Sequence, residues 1–420
     1  MPDRPKPFYP ITLIGAATIT AIAYLASGAE PASVPTAAAI ATPWYLGADI
    51  SGLAGGGRRG GRSGAYQENG TPGTEISIMK AHGWNAFRLR VFVSPVRGAP
   101  NNSLENTIAL AKQIKAAHAV FLLDIHYSDT WADPQHQEIP VAWRNLDMAG
   151  LEKQVEEYSK DVITQLKAAD CMPDMVQVGN ETTGGLLWPL GHLHVPDSPV
   201  KQEANEKIQN VYLQPYDETQ VWSNVTRFLK AGVRGVKAGA GDTPPKIVLH
   251  IDCGGDWQVT KWWFDHVTSA GVDFDIIGQS FYPRYHGTLS MLQENIVECR
   301  KRFGKEFIVA ETGYPQTGGE QIMSPPEAMA HPVLSAADPK AKGFYEWPGT
   351  QQGQLQYMVD LVNTVKRAGG AGVFYWAPEG SGGNGMWNRD GSPAPAIMVL
   401  DHLRELTTQP ASKLPQSPTP

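Results

Sequence analysis

Met175-Val-Gln-Val-Gly-Asn-Glu181 and Phe307-Ile-Val-Ala-Glu311 are two strand-like runs, far apart in the chain, that each close on a carboxylate. Valine, isoleucine and phenylalanine favour extended, buried backbone, whereas an ionised carboxylate inside a strand is desolvated at high cost. The two glutamates therefore belong at the open end of a sheet, where a substrate can reach them. A pair of carboxylates at such ends points to acid/base chemistry.

Outward from these runs, β-branched and aromatic stretches alternate with longer amphipathic ones. Eight strands are predicted, at 45–51, 86–93, 120–127, 175–181, 246–253, 274–282, 306–314 and 372–378. Helices are predicted at 72–82, 103–117, 150–169, 218–238, 257–270, 289–303, 351–368 and 394–406. Eight repeated βα units predict an α/β fold, a (β/α)8 TIM barrel in a single domain, 44–408. A doubly wound open sheet is the alternative, but no Gly-x-Gly-x-x-Gly follows the first strand at a helix start. Residues 30–43, rich in Ala, Pro and Thr, read as a flexible linker, and the Pro-rich 409–420 as a disordered tail. Arg4 and Lys6 precede an apolar stretch that runs to the small residues Ser27-Gly28-Ala29, so 1–29 read as a signal peptide or an uncleaved anchor. Either predicts a secreted or cell-envelope protein.

With 42% hydrophobic residues the 420-residue chain can bury a large core. Its net charge of −7 argues against nucleic acid or anionic lipid as a partner and leaves a neutral polymer compatible. No protein partner is implied, and membrane contact only if the amino-terminal segment is retained. Cys171, Cys253 and Cys299 allow at most one disulfide, which excludes a disulfide scaffold. The Gly-rich loop Gly55–Arg62 carries three arginines but no aromatic residues, so a rim loop is favoured over an RNA-binding tail.

In a TIM barrel the active site is built at the carboxyl ends of the strands. Those ends carry Asp49, Arg88, Arg90, Asp124, His126, Asn180, Glu181, Gln279 to Tyr282, Glu311 and Trp376. Cleaving a glycosidic bond needs a proton donor on the leaving oxygen and a second carboxylate at the anomeric carbon, roles that suit Glu181 and Glu311. A separation of about 5–5.5 Å predicts retention of configuration and about 6.5–9.5 Å inversion, and the sequence leaves both open. The alternative role for either glutamate is a buried ion pair with Arg88 or Arg90, which share strand parity and point inward together. Arg88 is the better candidate for keeping Glu311 ionised. The amide of Asn180 suits a sugar hydroxyl, Tyr282 can donate to Glu311, and Trp131, Trp188 and Trp376 lie where sugars would stack. Asp124-Ile-His126 and His250-Ile-Asp252 raise metal chemistry, but the first strand lacks His-x-His, and no metal or cofactor is expected.

Several segments together resemble glycoside hydrolase family 53, the endo-β-1,4-galactanases. They are Gly47-Ala-Asp-Ile-Ser51, Phe87-Arg-Leu-Arg-Val91, the run 122–134, Val176-Gln-Val-Gly-Asn-Glu181, Gly185-Leu-Leu-Trp-Pro189, the run 272–283, His286-Gly-Thr-Leu289, Val309-Ala-Glu-Thr-Gly-Tyr-Pro315 and Gly372-Val-Phe-Tyr-Trp376. The resemblance implies a retaining barrel that cuts within β-1,4-galactan of type I arabinogalactan, with Glu181 as acid/base and Glu311 as nucleophile. It implies Arg88, Asn180, Tyr282 and Trp376 around the reactive sugar, and His126, Asp129, Trp131, Trp188 and His286 as substrate contacts. Thr182-Thr-Gly-Gly185 and Tyr285 depart from the family pattern, and the short loop 379–392 speaks against a calcium site. A related glycanase acting on mannan, xylan or β-glucan, and a noncatalytic carbohydrate-binding barrel, are the competing readings.

Overall fold

The computed structural model describes residues 44–54, 66–95, 100–198, 212–317, 347–380 and 383–408. The expected leader, linker, tail and the whole of the Gly55–Arg62 loop lie outside these residues. Among the described residues there are ten strands: β1 (Tyr45–Asp49), β2 (Tyr66–Glu68), β3 (Thr71–Gly73), β4 (Ala86–Val91), β5 (Val120–Ile125), β6 (Met175–Val178), β7 (Lys246–Ile251), β8 (Ile276–Ser280), β9 (Glu306–Thr312) and β10 (Gly372–Trp376). Eight close into a parallel barrel in the order β1-β10-β9-β8-β7-β6-β5-β4, while β2 and β3 form a separate antiparallel hairpin. The expected TIM barrel is thus the fold. Closure leaves no sheet edge, and the strands are buried along nearly their whole length, which is why they read as apolar runs.

Alternation of side chains sorts the barrel into layers. Tyr45, Ala86, Leu122, Met175, Val248, Ile276, Ile308 and Phe374 fill the lower interior as one apolar cluster. Gly47 belongs to this packing, because a methyl group there would sit 2.3 Å from the Phe374 ring. One step higher on the inward face stand Asp49, Arg88, Asp124, Gln177 and His250, all at most 1% exposed. Phe87, Leu89, Val91, Phe121, Leu123 and their counterparts face the opposite way, into the larger core under the helices.

The helices follow local signals. Asp147 caps Met148–Ala168, Asp217 caps Glu218–Ala240 and Asp256 caps Trp257–Ser269, each accepting a backbone N–H from the first turn. The predicted strands run two to three residues past most observed carboxyl ends. Strand character continues there, but the backbone turns: Tyr127, Glu181, Cys253 and Ala377 all adopt positive φ just beyond a strand. Cys171, Cys253 and Cys299 are buried, and no disulfide forms among them. Among the described residues no helix is long and apolar enough to cross a membrane.

The predicted helix 72–82 is shorter, at Glu75–Ala81, because Thr71–Gly73 pairs with Tyr66–Glu68 across an Asn69-Gly70 turn. Just beyond this helix, His82 joins the hairpin to the helix Val399–Thr408, with Nε2 2.8 Å from Glu68 and Nδ1 2.5 Å from Asp401. Partial burial alone would lower its pKa, but the two carboxylates raise it. The bonus in stability is therefore full below the unfolded value of about 6.5 and is lost as pH rises through the elevated folded value. Thermal unfolding of wild type and His82→Gln from pH 5 to 9 should show a gap in Tm that is widest at the acid end. A gap independent of pH would contradict the linkage.

Candidate active site

Glu181 and Glu311 line one cavity of about 360 Å³ at the carboxyl-terminal mouth of the barrel. Their backbones reach it by different devices. β6 ends at Val178, Gly179 turns with φ 84°, and Glu181 sits in the left-handed region with φ 46°, ahead of a short 3-10 turn. A methyl group at Gly179 would strike the Thr182 side chain at 2.6 Å, so both φ and space favour glycine. Glu181 is therefore carried by a turn rather than closing its strand as the sequence suggested. On β9, Ile308 and Ala310 face the barrel interior while Phe307 and Val309 face the helices. Strict alternation would turn Glu311 outward, but the register slips against both neighbours, with Ser280 opposite Glu311 and Tyr375 opposite Thr312. This bulge gives two successive inward residues and aims Glu311 into the cavity.

The surroundings of the two carboxyls differ. Glu311 Oε1 accepts from the Tyr282 hydroxyl at 2.7 Å, and Oε2 accepts from Arg88 Nη1 at 3.3 Å. Glu181 Oε1 accepts from Ser280 Oγ at 2.5 Å and has no cation against it among the described residues. Burial pushes Glu181 well above the usual carboxyl value, and the negative charges of Glu311 and Asp252 push it further. Burial also raises Glu311 above the usual carboxyl value, although Arg88 and Tyr282 pull it part of the way back. A proton shared between the two sites belongs to Glu181.

Arg88 is the hub of the layer beneath. Besides Glu311 it donates to Asp49 Oδ2 at 2.8 Å, Asp124 Oδ2 at 2.7 Å and Asn180 Oδ1 at 2.7 Å. Burial would raise Asp124, yet Arg88 and His126 hold it near 2, so it stays ionised. The tighter bonds go to the two aspartates, and Glu311 takes the longest of the three carboxylate contacts, at 3.3 Å. Tyr282 is a neutral donor, its pKa lifted by burial and by Glu311.

The cavity brings together several other residues expected from the sequence. His126, Trp131, Asn180 and Trp376 line it, joined by Arg90, whose guanidinium lies 5.8 Å from the Trp376 ring centre. His126 Nδ1 accepts from the Ala132 N–H at 2.9 Å, while Nε2 lies 2.8 Å from Asp124. Asn180 Nδ2 donates to the Ala132 carbonyl at 2.8 Å, which fixes the orientation of its amide. Three expected contacts are spent within the protein, outside the lining. Asp129 accepts the N–H groups of Ser94 (2.9 Å) and Val141 (2.8 Å), bracing two loops. Trp188 is buried, donates to the Gly184 carbonyl at 2.8 Å and stacks on His192 at 3.8 Å. His286, in the short helix Pro283–His286, accepts from the Tyr282 N–H at 3.1 Å and so fixes the tyrosine's backbone.

Sequence reasoning placed Ser280 among the strand-end residues and weighed His250 for a metal, but it gave neither a role beside the glutamates and did not single out Gln177. Their signal was parity, since each is a polar residue at an inward position of its strand. Among the described residues no three His, Cys, Asp or Glu side chains are grouped to hold a metal ion.

Acetal cleavage by acid/base catalysis needs such an unlike pair of carboxyls at one mouth, and this places the molecule among the barrel glycoside hydrolases. The profile described as glycosyl hydrolase family 53 matches residues 45–407, and the chain belongs to that family. It is 35% identical over 354 residues to a probable arabinogalactan endo-β-1,4-galactanase A of Aspergillus terreus, covering 82% of this chain and 88% of the relative. It is 34% identical over 317 residues to an arabinogalactan endo-β-1,4-galactanase of Thermothelomyces thermophilus, covering 74% and 82%. Among solved structures, a fungal β-1,4-galactanase superposes with a TM-score of 0.67 at 30% identity, covering 85% of this chain and 98% of the other.

Proposed function

We propose that this enzyme cleaves internal β-1,4-galactosidic bonds of type I arabinogalactan with retention of configuration, Glu181 serving as acid/base and Glu311 as nucleophile. The observation that carries the reading is the contrast between the carboxyls: among the described residues one faces a hydroxyl and further negative charge, the other an arginine and a phenol. A carboxyl kept protonated can donate, and a carboxylate kept ionised can attack. In the first step the Glu181 proton passes to the glycosidic oxygen as the C1–O bond breaks, and a Glu311 oxygen bonds to C1. In the second step Glu181, now ionised, takes a proton from water, whose oxygen displaces Glu311 from C1.

The choice of galactan follows the names of the relatives, and Trp131 and Trp376 offer apolar faces for sugar rings at the same mouth. Export follows from the amino-terminal sequence pattern. Proton NMR of the first products released from galactan should show the β-anomer, with the α-anomer appearing only by mutarotation. Initial release of the α-anomer would overturn retention. Faster release of reducing ends from mannan, xylan or β-glucan than from galactan would overturn the substrate.

A further inference from the structure

Behind Glu181 runs a buried chain of polar groups that the proposed reaction does not itself require. Ser280 Oγ lies 2.5 Å from Glu181 Oε1 and 2.9 Å from His250 Nε2. Both Ser280 and His250 are fully buried, on neighbouring strands β8 and β7. A serine hydroxyl has one proton, so it can donate to Glu181 or to His250 but not to both. The state of the imidazole therefore decides which way the serine points.

Two donors converge on the other ring nitrogen. Gln177 Nε2 lies 2.8 Å from His250 Nδ1, and the Glu181 backbone N–H approaches it at 3.4 Å. The amide of Gln177 cannot be reversed, because Nε2 also donates to the Asp124 carboxylate at 2.6 Å. Asn180 Oδ1 is also 2.9 Å from Nδ1, but it already accepts from Arg88 at 2.7 Å, while the two amide protons of Gln177 go to Asp124 and Nδ1 and the Glu181 N–H can act only as a donor. Burial and the nearby Arg88 hold the imidazole neutral, with a pKa near 3. A neutral ring that accepts at Nδ1 carries its proton on Nε2 and donates it to Ser280 Oγ. The serine proton is then committed to Glu181 Oε1.

We propose that His250 and Ser280 are positioning residues for the acid: by filling Oε1 with a fixed donor they confine the transferable proton of Glu181 to Oε2. Among the described residues no hydrogen bond reaches Oε2, so a proton there is available to a glycosidic oxygen in the cavity. With the opposite tautomer Glu181 would donate to Ser280, and its proton would be spent inside the protein. This inference rests on Glu181 being the acid.

The test compares kcat/KM on galactan, whose leaving group needs protonation, with kcat/KM on a dinitrophenyl β-galactobioside, whose leaving group does not. Ser280→Ala should lower the first about tenfold or more and change the second by less than about threefold. His250→Gln, whose amide can place an N–H where Nε2 stood, should keep more galactan activity than His250→Ala. Nitrogen-15 NMR of the histidine-labelled enzyme, with His250 assigned from the His250→Gln spectrum, should show protonated Nε2 and bare Nδ1. Equal losses on both substrates in Ser280→Ala, or a proton on Nδ1, would overturn the relay. Glu181→Ala run in parallel separates the two ideas. If it too lowers both substrates equally, the assignment of the acid fails; if it splits them while Ser280→Ala does not, only the relay fails.

Discussion

Glu311→Ala should lower turnover of β-1,4-galactan by about four orders of magnitude or more, the scale seen when a covalent nucleophile is removed from a unit that acts together. The loss should extend to a dinitrophenyl galactoside, because a good leaving group relieves the need for an acid but not for a nucleophile at C1. Stability should change little. Arg88 keeps Asp49 and Asp124 at 2.8 and 2.7 Å, so removing its longest carboxylate contact, at 3.3 Å, leaves the guanidinium paired. Unfolding curves and activity on both substrates check this together. A folded variant with wild-type turnover would remove Glu311 from the reaction.

Glu181→Ala should divide the substrates. On galactan, kcat/KM should fall about 10²-fold to 10⁴-fold, the contribution of a positioned acid. On the dinitrophenyl galactoside the first step should proceed, and the second should stall for lack of a base. The expected signature is a burst of dinitrophenol followed by slow turnover, with a glycosyl group retained on Glu311 and visible by mass spectrometry. Added azide should speed the slow phase, since the carboxylate that would repel an anion is gone, and should yield a β-galactosyl azide. The wild-type pH profile follows the same logic. Glu181 must be protonated to act, so activity on galactan should fall as pH rises through its elevated pKa, and this alkaline limb should vanish in the variant. An unchanged limb would assign it to another group.

Much of this was readable in the chain because barrel strands are buried on both faces. Apolar runs such as Val120–Ile125 and Lys246–Ile251 stand out against amphipathic helices, and several helices announce their start with a cap such as Asp147 or Asp256. The hairpin Tyr66–Gly73 escaped because its strands are three residues long and none of their residues is fully buried, so no apolar alternation flanks the Asn69-Gly70 turn. Asp129, Trp188 and His286, expected as substrate contacts, are not among the residues that line the cavity. They occur in motifs near the mouth, yet their polar atoms serve neighbouring loops, and residue type alone cannot tell a brace from a ligand.

What the sequence by itself determined is the barrel and the pair of glutamates, since periodicity and the rarity of a carboxylate at the end of a buried run are local properties. What only the tertiary structure decided is where those carboxyls point and which of them keeps its proton. Alternation along β9 turns Glu311 away from the cavity, and a bulge fixed by both neighbouring strands turns it back. A left-handed turn presents Glu181, whose charge state is set by burial and by Glu311 and Asp252, groups remote in sequence. Orientation and protonation depend on long-range pairing and on a local dielectric, and neither exists until the strands have closed on one another.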